Sequence, residues 1–220
     1  MSRQLHLFIA SIGLTFLLTS GLPAQSGIIT TVAGTGVAGT AGVGGPATNA
    51  QVVPAGICVD SADNVYIVDP PTNRVLRVDA STGILTLVAG NGTAGSTGDN
   101  GPATLASLNA PRGVALDSVG NLFIVEFQGN RVRRVDAITG IITTFAGTGL
   151  SGFSGDGGPA ISATLNLPFA IAFDSGGNLY IADMGNARVR QVNPVLGTIQ
   201  TVAGNGTTVS SPDGSMELPN

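Results

Sequence analysis

One unit of about 57 residues is written three times along this chain, and that repetition limits the fold more than any other feature. Four related octapeptides start at Gly27, Gly83, Gly140 and Gly197, reading GIITTVAG, GILTLVAG, GIITTFAG and GTIQTVAG. Other columns keep the same step: Pro54, Pro111 and Pro168; Asp60, Asp117 and Asp174; Asn64, Asn121 and Asn178; Arg74, Arg131 and Arg188. Self-similarity at a fixed period is the mark of stacked supersecondary units that bury their faces against one another.

Within the middle copy, short apolar runs at 113–116, 122–125, 131–135 and 141–145 are separated by turn segments. Asp117-Ser118-Val119-Gly120-Asn121 reads as a tight turn, in which Asp bonds the following backbone and Gly takes positive φ. Gln128-Gly129-Asn130 and Ala137-Ile138-Thr139-Gly140 are the next two turns. Val, Ile, Leu, Thr and Phe dominate the runs, as an antiparallel four-stranded meander requires. The first two strands of each copy are apolar on both faces, so each sheet needs a neighbour on either side. The expected fold is therefore all-β, a partial β-propeller of three four-stranded antiparallel blades at about 34–90, 91–147 and 148–204, with a spare strand at 27–33. A β-solenoid fits less well, because hairpin turns of this type join antiparallel strands. Long glycine-rich connections at 34–54, 90–111 and 147–168 each carry Gly-Pro-Ala and predict ordered loops with at most a scrap of helix.

The first 26 residues differ from the rest. Arg3 precedes the apolar stretch 5–18, and Ala24-Gln25-Ser26 offers small residues for cleavage after Ala24 or Ser26. This is the layout of a signal peptide, and its uninterrupted run of 12 residues, 7–18, is short of the ~20 that span a bilayer. Export to the periplasm or medium, with no membrane span after cleavage, is the expectation. Cleavage would remove His6, the only histidine; the remainder has no lysine and eight arginines against thirteen acids.

That inventory excludes several chemistries. A net charge of −4 over the whole chain argues against nucleic acid as a partner. Ser-His-Asp or Cys-His catalysis needs a base, and zinc needs ligands that one cysteine cannot supply. Cys58 lies in an apolar run and reads as a small buried hydrophobe. No cofactor is implied. Gly98-Asp99-Asn100-Gly101 and Gly155-Asp156-Gly157-Gly158 resemble calcium loops superficially, making Asp99 and Asp156 weak metal candidates; one Asp per loop is short of a full ligand set, and Val43 stands at that place in the first copy. Asp69, Glu126 and Asp183 end the second strands and are followed by Arg74, Arg131 and Arg188. These columns either line a shared axial mouth or pair acid with nearby arginine, and their repetition favours the structural role. Carboxylate-only hydrolysis would need an asymmetric acid pair, and none stands out.

The columns Asp-Ser-x-(Gly/Asp)-Asn, then (Leu/Val)-(Tyr/Phe)-Ile-(Ala/Val)-(Asp/Glu), then Asn-Arg-Val or Asn-Ala-Arg-Val, resemble NHL repeats. The long connection with Gly-Asp-Gly-Gly-Pro-Ala is similar to that of teneurin-like NHL domains and bacterial exported proteins. The resemblance covers nearly all of 27–204 and implies blades of a propeller, usually six-bladed, that bind protein or another ligand such as carbohydrate. Related six-bladed propellers include lyases and lactonases, so a metal-assisted enzyme is the alternative function. Residues 205–220 read as the truncated start of a further connection, which leaves an open arc: a fragment, a remnant of a longer propeller protein, or a half that a second copy closes into a homodimeric ring.

Overall fold

The structure, a computed structural model, describes residues 29–207. The expected signal peptide, residues 27 and 28, and residues 208–220 lie outside the described residues. The described chain is all-β, with three antiparallel sheets that form an open arc. The first sheet is β1 (Ile57–Val59), β2 (Val65–Asp69), β3 (Arg74–Val78) and β4 (Leu85–Ala89). The second holds β5 (Gly101–Pro102), β6 (Pro111–Leu116), β7 (Leu122–Glu126), β8 (Arg131–Val135) and β9 (Ile141–Ala146), in the order β5-β9-β8-β7-β6. The third is β10 (Pro168–Phe173), β11 (Leu179–Asp183), β12 (Arg188–Asn193) and β13 (Thr198–Ala203).

Two details differ from the sequence expectation. The middle blade gains a fifth, two-residue strand because Gly101-Pro102 pairs with Ile142 and Ile141 at the outer edge of β9. In the other blades the same contact shrinks to single bridges, Pro46 to Ile84 and Pro159 to Thr198. The spare strand expected at 27–33 does not form in its described part: residues 29–33 are not a strand. The equivalent segments β4, β9 and β13 each hydrogen-bond to a preceding third strand, and no such partner precedes residues 29–33 among the described residues.

The turns follow from side chains. Asp60, Asp117 and Asp174 each accept from the backbone N–H of Asn64, Asn121 or Asn178 at 2.9 Å, and the amide of the same asparagine donates back to the second carboxylate oxygen. Gly120 and Gly177 sit at φ 89° and 81°; the first copy forces the non-glycine Asp63 into that region at φ 62°.

Each connection becomes part of the core. After Gly-Pro-Ala it makes one 3₁₀ turn, at Ala47–Asn49, Ala103–Leu105 and Ala160–Ser162. Ala103, Ala106 and Leu108 are buried with Val68, Val75 and Ala89 of the first blade and Leu122, Ile124 and Ile142 of the second. Ala160, Ala163 and Leu165 repeat that plug between Phe123, Val125 and Val132 and the third blade's Leu179, Ile181 and Ile199. Ala47, Ala50 and Val52 cover the near face of the first blade. Two backbone bonds fix the second and third plugs to the end of the preceding fourth strand, Gly90 N–H to Ala103 O and Asn91 N–H to Ala106 O in one copy. A side-chain latch completes the joint. Asn73 Oδ1 accepts from Ala110 N–H at 3.1 Å and Asn130 Oδ1 from Leu167 N–H at 2.9 Å, holding Ala110 and Leu167 at φ 49°.

The first strands β1, β6 and β10 run side by side. Their close approach depends on Gly56 and Gly113. A Cβ at Gly56 would overlap the carbonyl oxygen of Arg112, and one at Gly113 would lie 3.0 Å from that of Phe169. Ala170 occupies the third position of this column. Gly56→Ala or Gly113→Ala is expected to cost roughly 1–3 kcal/mol through overpacking, whereas Ala170→Gly costs about 0.5–1 kcal/mol through backbone entropy alone. Urea denaturation of the chain measures both.

Candidate functional site

The ends of the second and fourth strands, and the starts of the first and third, meet at one end of each blade. There the register opposes Asp69 to Arg74, Glu126 to Arg131 and Asp183 to Arg188. All three acids are buried, at 1%, 0% and 0% exposure, and so are not free to line an open mouth.

Their partners are mostly not the arginines opposite them. In the second blade the principal partner is Arg133, wholly buried, whose Nη1 donates to Glu126 Oε1 at 3.1 Å. Arg133 Nη2 and Nε also donate to Asp99 Oδ1 at 2.6 and 3.0 Å. Arg131 approaches Glu126 only to 3.9 Å and gives its hydrogen bonds to the carbonyls of Gly129 and Thr148. The third blade repeats the plan. Arg190 reaches Asp183 at 3.4 Å and Asp156 at 2.7 Å, while Arg188 donates to the carbonyls of Asn186 and Asn205 and lies 3.8 Å over the Phe153 ring. Asp183 also accepts from Asn166 N–H at 2.8 Å, tying the connection to the second strand. In the first blade Asp69 accepts from Val53 N–H, and Leu76 and Val43 stand where the other blades place the buried arginine and the connection aspartate.

Asp99 and Asp156 therefore serve as arginine partners that staple the connection to the third strand. Among the described residues no group of three or more His, Cys, Asp or Glu side chains converges in a metal-binding arrangement. Arg133 and Arg190 were missed in the sequence, although a signal was present: arginine in the third strand and aspartate in the connection occur together in two copies and are lost together in the first. Removing one member of such a node strands a buried charge, so Arg133→Leu is expected to cost about 3–5 kcal/mol. Adding Asp99→Val, which recreates the first blade's apolar pairing, should recover part of that loss. A double-mutant cycle in urea gives the coupling.

Protonation follows burial. Burial pushes the Glu126 and Asp69 carboxyls up, against the pull of Arg133 and Arg131 on the former and of Thr72, Val53 N–H and Arg74 on the latter. The turn carboxylates move down: Asp174 through Asn178, Asp136 through Thr139, Asp79 through Ser81 and Thr82, and Asp60, despite some opposing burial, through Asn64. Cys58 is half-buried instead of enclosed, and burial followed by the charge of Asp60 pushes its thiol up to about 12. For Glu126 and Asp69, stability is fully present below the unfolded values of 4.5 and 3.8 and is lost as pH rises through the higher folded values. For the turn carboxylates it is present above 3.8 and lost as pH falls through the lower folded values. The thermal midpoint should therefore peak in weakly acidic solution, and Glu126→Gln should flatten the decline toward neutral pH while leaving the acid-side loss intact.

The repeat breaks at the same loop end. Ala55, Arg112 and Phe169 follow the column prolines, and Pro70, Phe127 and Met184 follow the column acids. Phe127 and Phe169 meet edge to face at 6.2 Å, and the Arg112 guanidinium lies 5.5 Å from the Phe127 ring centre. Phe169 and Met184 are 47% and 50% exposed and border an apolar recess of about 390 Å³ on the outer face of the third blade. A second groove, of about 310 Å³, lies between the first two blades, lined by Val53, Pro54, Ala55, Pro70, Pro71, Ala110 and Arg112. The rim is thus apolar and cationic, with residues that differ from blade to blade.

Comparison with known proteins places these repeats. The family model described as the teneurin NHL domain matches residues 91–154. Suppressor of quenching 1 of Arabidopsis thaliana, a chloroplastic protein, is 28% identical over 155 residues, 67% of this chain and 14% of that one. Mouse teneurin-1 is 33% identical over 100 residues, 40% of this chain and 4% of that one. Among solved structures, an auxiliary nutrient binding protein of Bacteroides thetaiotaomicron superposes with a TM-score of 0.51 at 25% identity, over 66% of this chain and 36% of that one. The chain spans about a seventh or less of the length of these two curated relatives. The repeated strand columns, the propeller-type blades and the teneurin NHL match over 91–154 agree, and the chain carries NHL-type propeller repeats.

Proposed function

We propose that this chain is an exported, non-enzymatic binding module that takes a protein or small ligand across the loop end of its blades. The observation that carries this reading is a division of labour. The repeated ionisable side chains there are committed to structure: Glu126 and Asp183 to buried arginines, Asp69 to the connection backbone. The residues that vary from copy to copy, Arg112, Phe127, Phe169 and Met184, form a partly exposed rim. Apolar and aromatic surface with a few polar groups is the ordinary character of a ligand site. Catalysis by general acid and base would need an ionisable group within reach of a substrate, and Asp69, Glu126 and Asp183 are buried beneath the loop end. The amino-terminal leader supports export, and among the described residues no helix is long and apolar enough to cross a membrane.

The test uses the full chain expressed with its own leader. Amino-terminal sequencing of the exported product should begin at Gln25 or Gly27. Binding screened on glycan and peptide arrays should fall about tenfold or more for Phe169→Ser combined with Met184→Ser, with an unchanged thermal midpoint. Turnover of a lactone or ester panel that disappears in Glu126→Gln would overturn the reading.

A further inference from the structure

The groove between the first and second blades differs from the recess on the third in its arginine: Arg188 of the recess donates to two backbone carbonyls, whereas the Arg112 side chain of the groove makes no hydrogen bond. The groove's walls are Val53, Pro54, Ala55, Pro70, Pro71 and Ala110, and its single charged residue is Arg112. One blade on, Phe127 and Phe169 meet edge to face at the corresponding positions. The first copy carries the smaller Pro70 and Ala55 at the positions of Phe127 and Arg112, and the slot stays open.

Among the described arginines, Arg74 and Arg112 are the two that make neither a salt bridge nor a side-chain hydrogen bond, and of the two it is Arg112 that lines the groove. Arg133 and Arg190 are buried in two-acid nodes, Arg77 and Arg134 pair with Asp79 and Asp136, and Arg131 and Arg188 bond backbone carbonyls. No carboxylate among the described residues lies within salt-bridge distance of Arg112, and its buried Nε has no hydrogen-bond partner. The Phe127 ring lies 5.5 Å from the guanidinium and attracts its charge without satisfying its donors. A guanidinium with free donors is matched by a planar carboxylate, which accepts two parallel N–H bonds.

We infer that this groove is a binding site for a small monocarboxylate with an apolar body, the carboxylate on Arg112 and the body against Pro54, Pro70 and Pro71. The volume, about 310 Å³, is at the low end for ligand pockets and suits an acid of about ten heavy atoms. Phosphate is a poorer match, since it needs several converging donors and the three prolines offer no N–H. A sugar is poorer too, because one guanidinium leaves most of its hydroxyls without partners. The inference rests on the binding reading above and names a ligand class for one part of the same rim.

Phenylacetate is the probe, with phenylacetamide as its neutral isostere. Titration of the exported chain by calorimetry, with amide chemical shifts to locate the site, should show phenylacetate binding that perturbs Ala55, Ala110 and Arg112. Phenylacetamide and the Arg112→Gln variant should each weaken binding about tenfold or more. Ala55→Trp, which fills the slot and keeps the charge, should abolish it. Equal binding of acid and amide, or an unchanged affinity in Arg112→Gln, would overturn the carboxylate assignment, as would the absence of any shift at millimolar phenylacetate. If an array partner depends on Phe169 and Met184 while phenylacetate fails to bind, the binding reading stands and this inference falls.

Discussion

Everything in this molecule depends on the fact that no single blade can bury its own surface. A four-stranded antiparallel sheet with apolar side chains on both faces stays in water only if something covers each face. Here the cover is the connection: an alanine, a second alanine three residues on and a leucine two beyond it are pressed between the sheet just completed and the sheet about to form. Alanine at the first two positions keeps the layers close, and leucine fills the space left near the first strands. The glycine-rich character of the chain follows, since the loops must turn sharply to bring these three side chains back onto the core.

The buried arginines have a different logic. Arg133 and Arg190 sit where the first blade is content with Leu76, so the fold does not require a charge at this place. What the charge adds is a fixed position for the connection, whose aspartate it grips from inside the sheet. The cost is that Glu126 and Asp183 are drawn out of water with it, and burial pushes Glu126 toward protonation. A cluster of this kind looks like chemistry in a list of residues and behaves as scaffolding in three dimensions, because each buried acid is paired to a buried arginine that in turn holds the connection.

Much of the architecture was legible in the sequence because a repeat averages out local ambiguity. One apolar run can be strand or buried helix; three runs in phase, each followed by Asp-Ser-x-(Gly/Asp)-Asn, can only be hairpins. The strand limits of the middle blade matched within two residues, and the 3₁₀ scraps after Gly-Pro-Ala appeared where proline and alanine predicted them. Less legible was anything that depended on a partner across sequence. Residues 29–33 look like β4, β9 and β13, yet a strand is defined by its neighbour, and among the described residues this one has none. The acid column was expected to use the arginines five residues downstream or to face a mouth; Glu126 and Asp183 instead turned to side chains two residues further along the third strand, which the sheet presents on the same face.

The asparagine latch bears on how the molecule comes apart. Asn73 joins the first blade to the second and Asn130 the second to the third, while Ala187 holds the same left-handed conformation with no amide to offer. Among the described blades the middle one is thus latched on both flanks and the first and third on one each. Energy in such a stack resides in nearest-neighbour coupling, so with one latch broken that joint would part while the other held, and the middle sheet would stay ordered with whichever neighbour it kept.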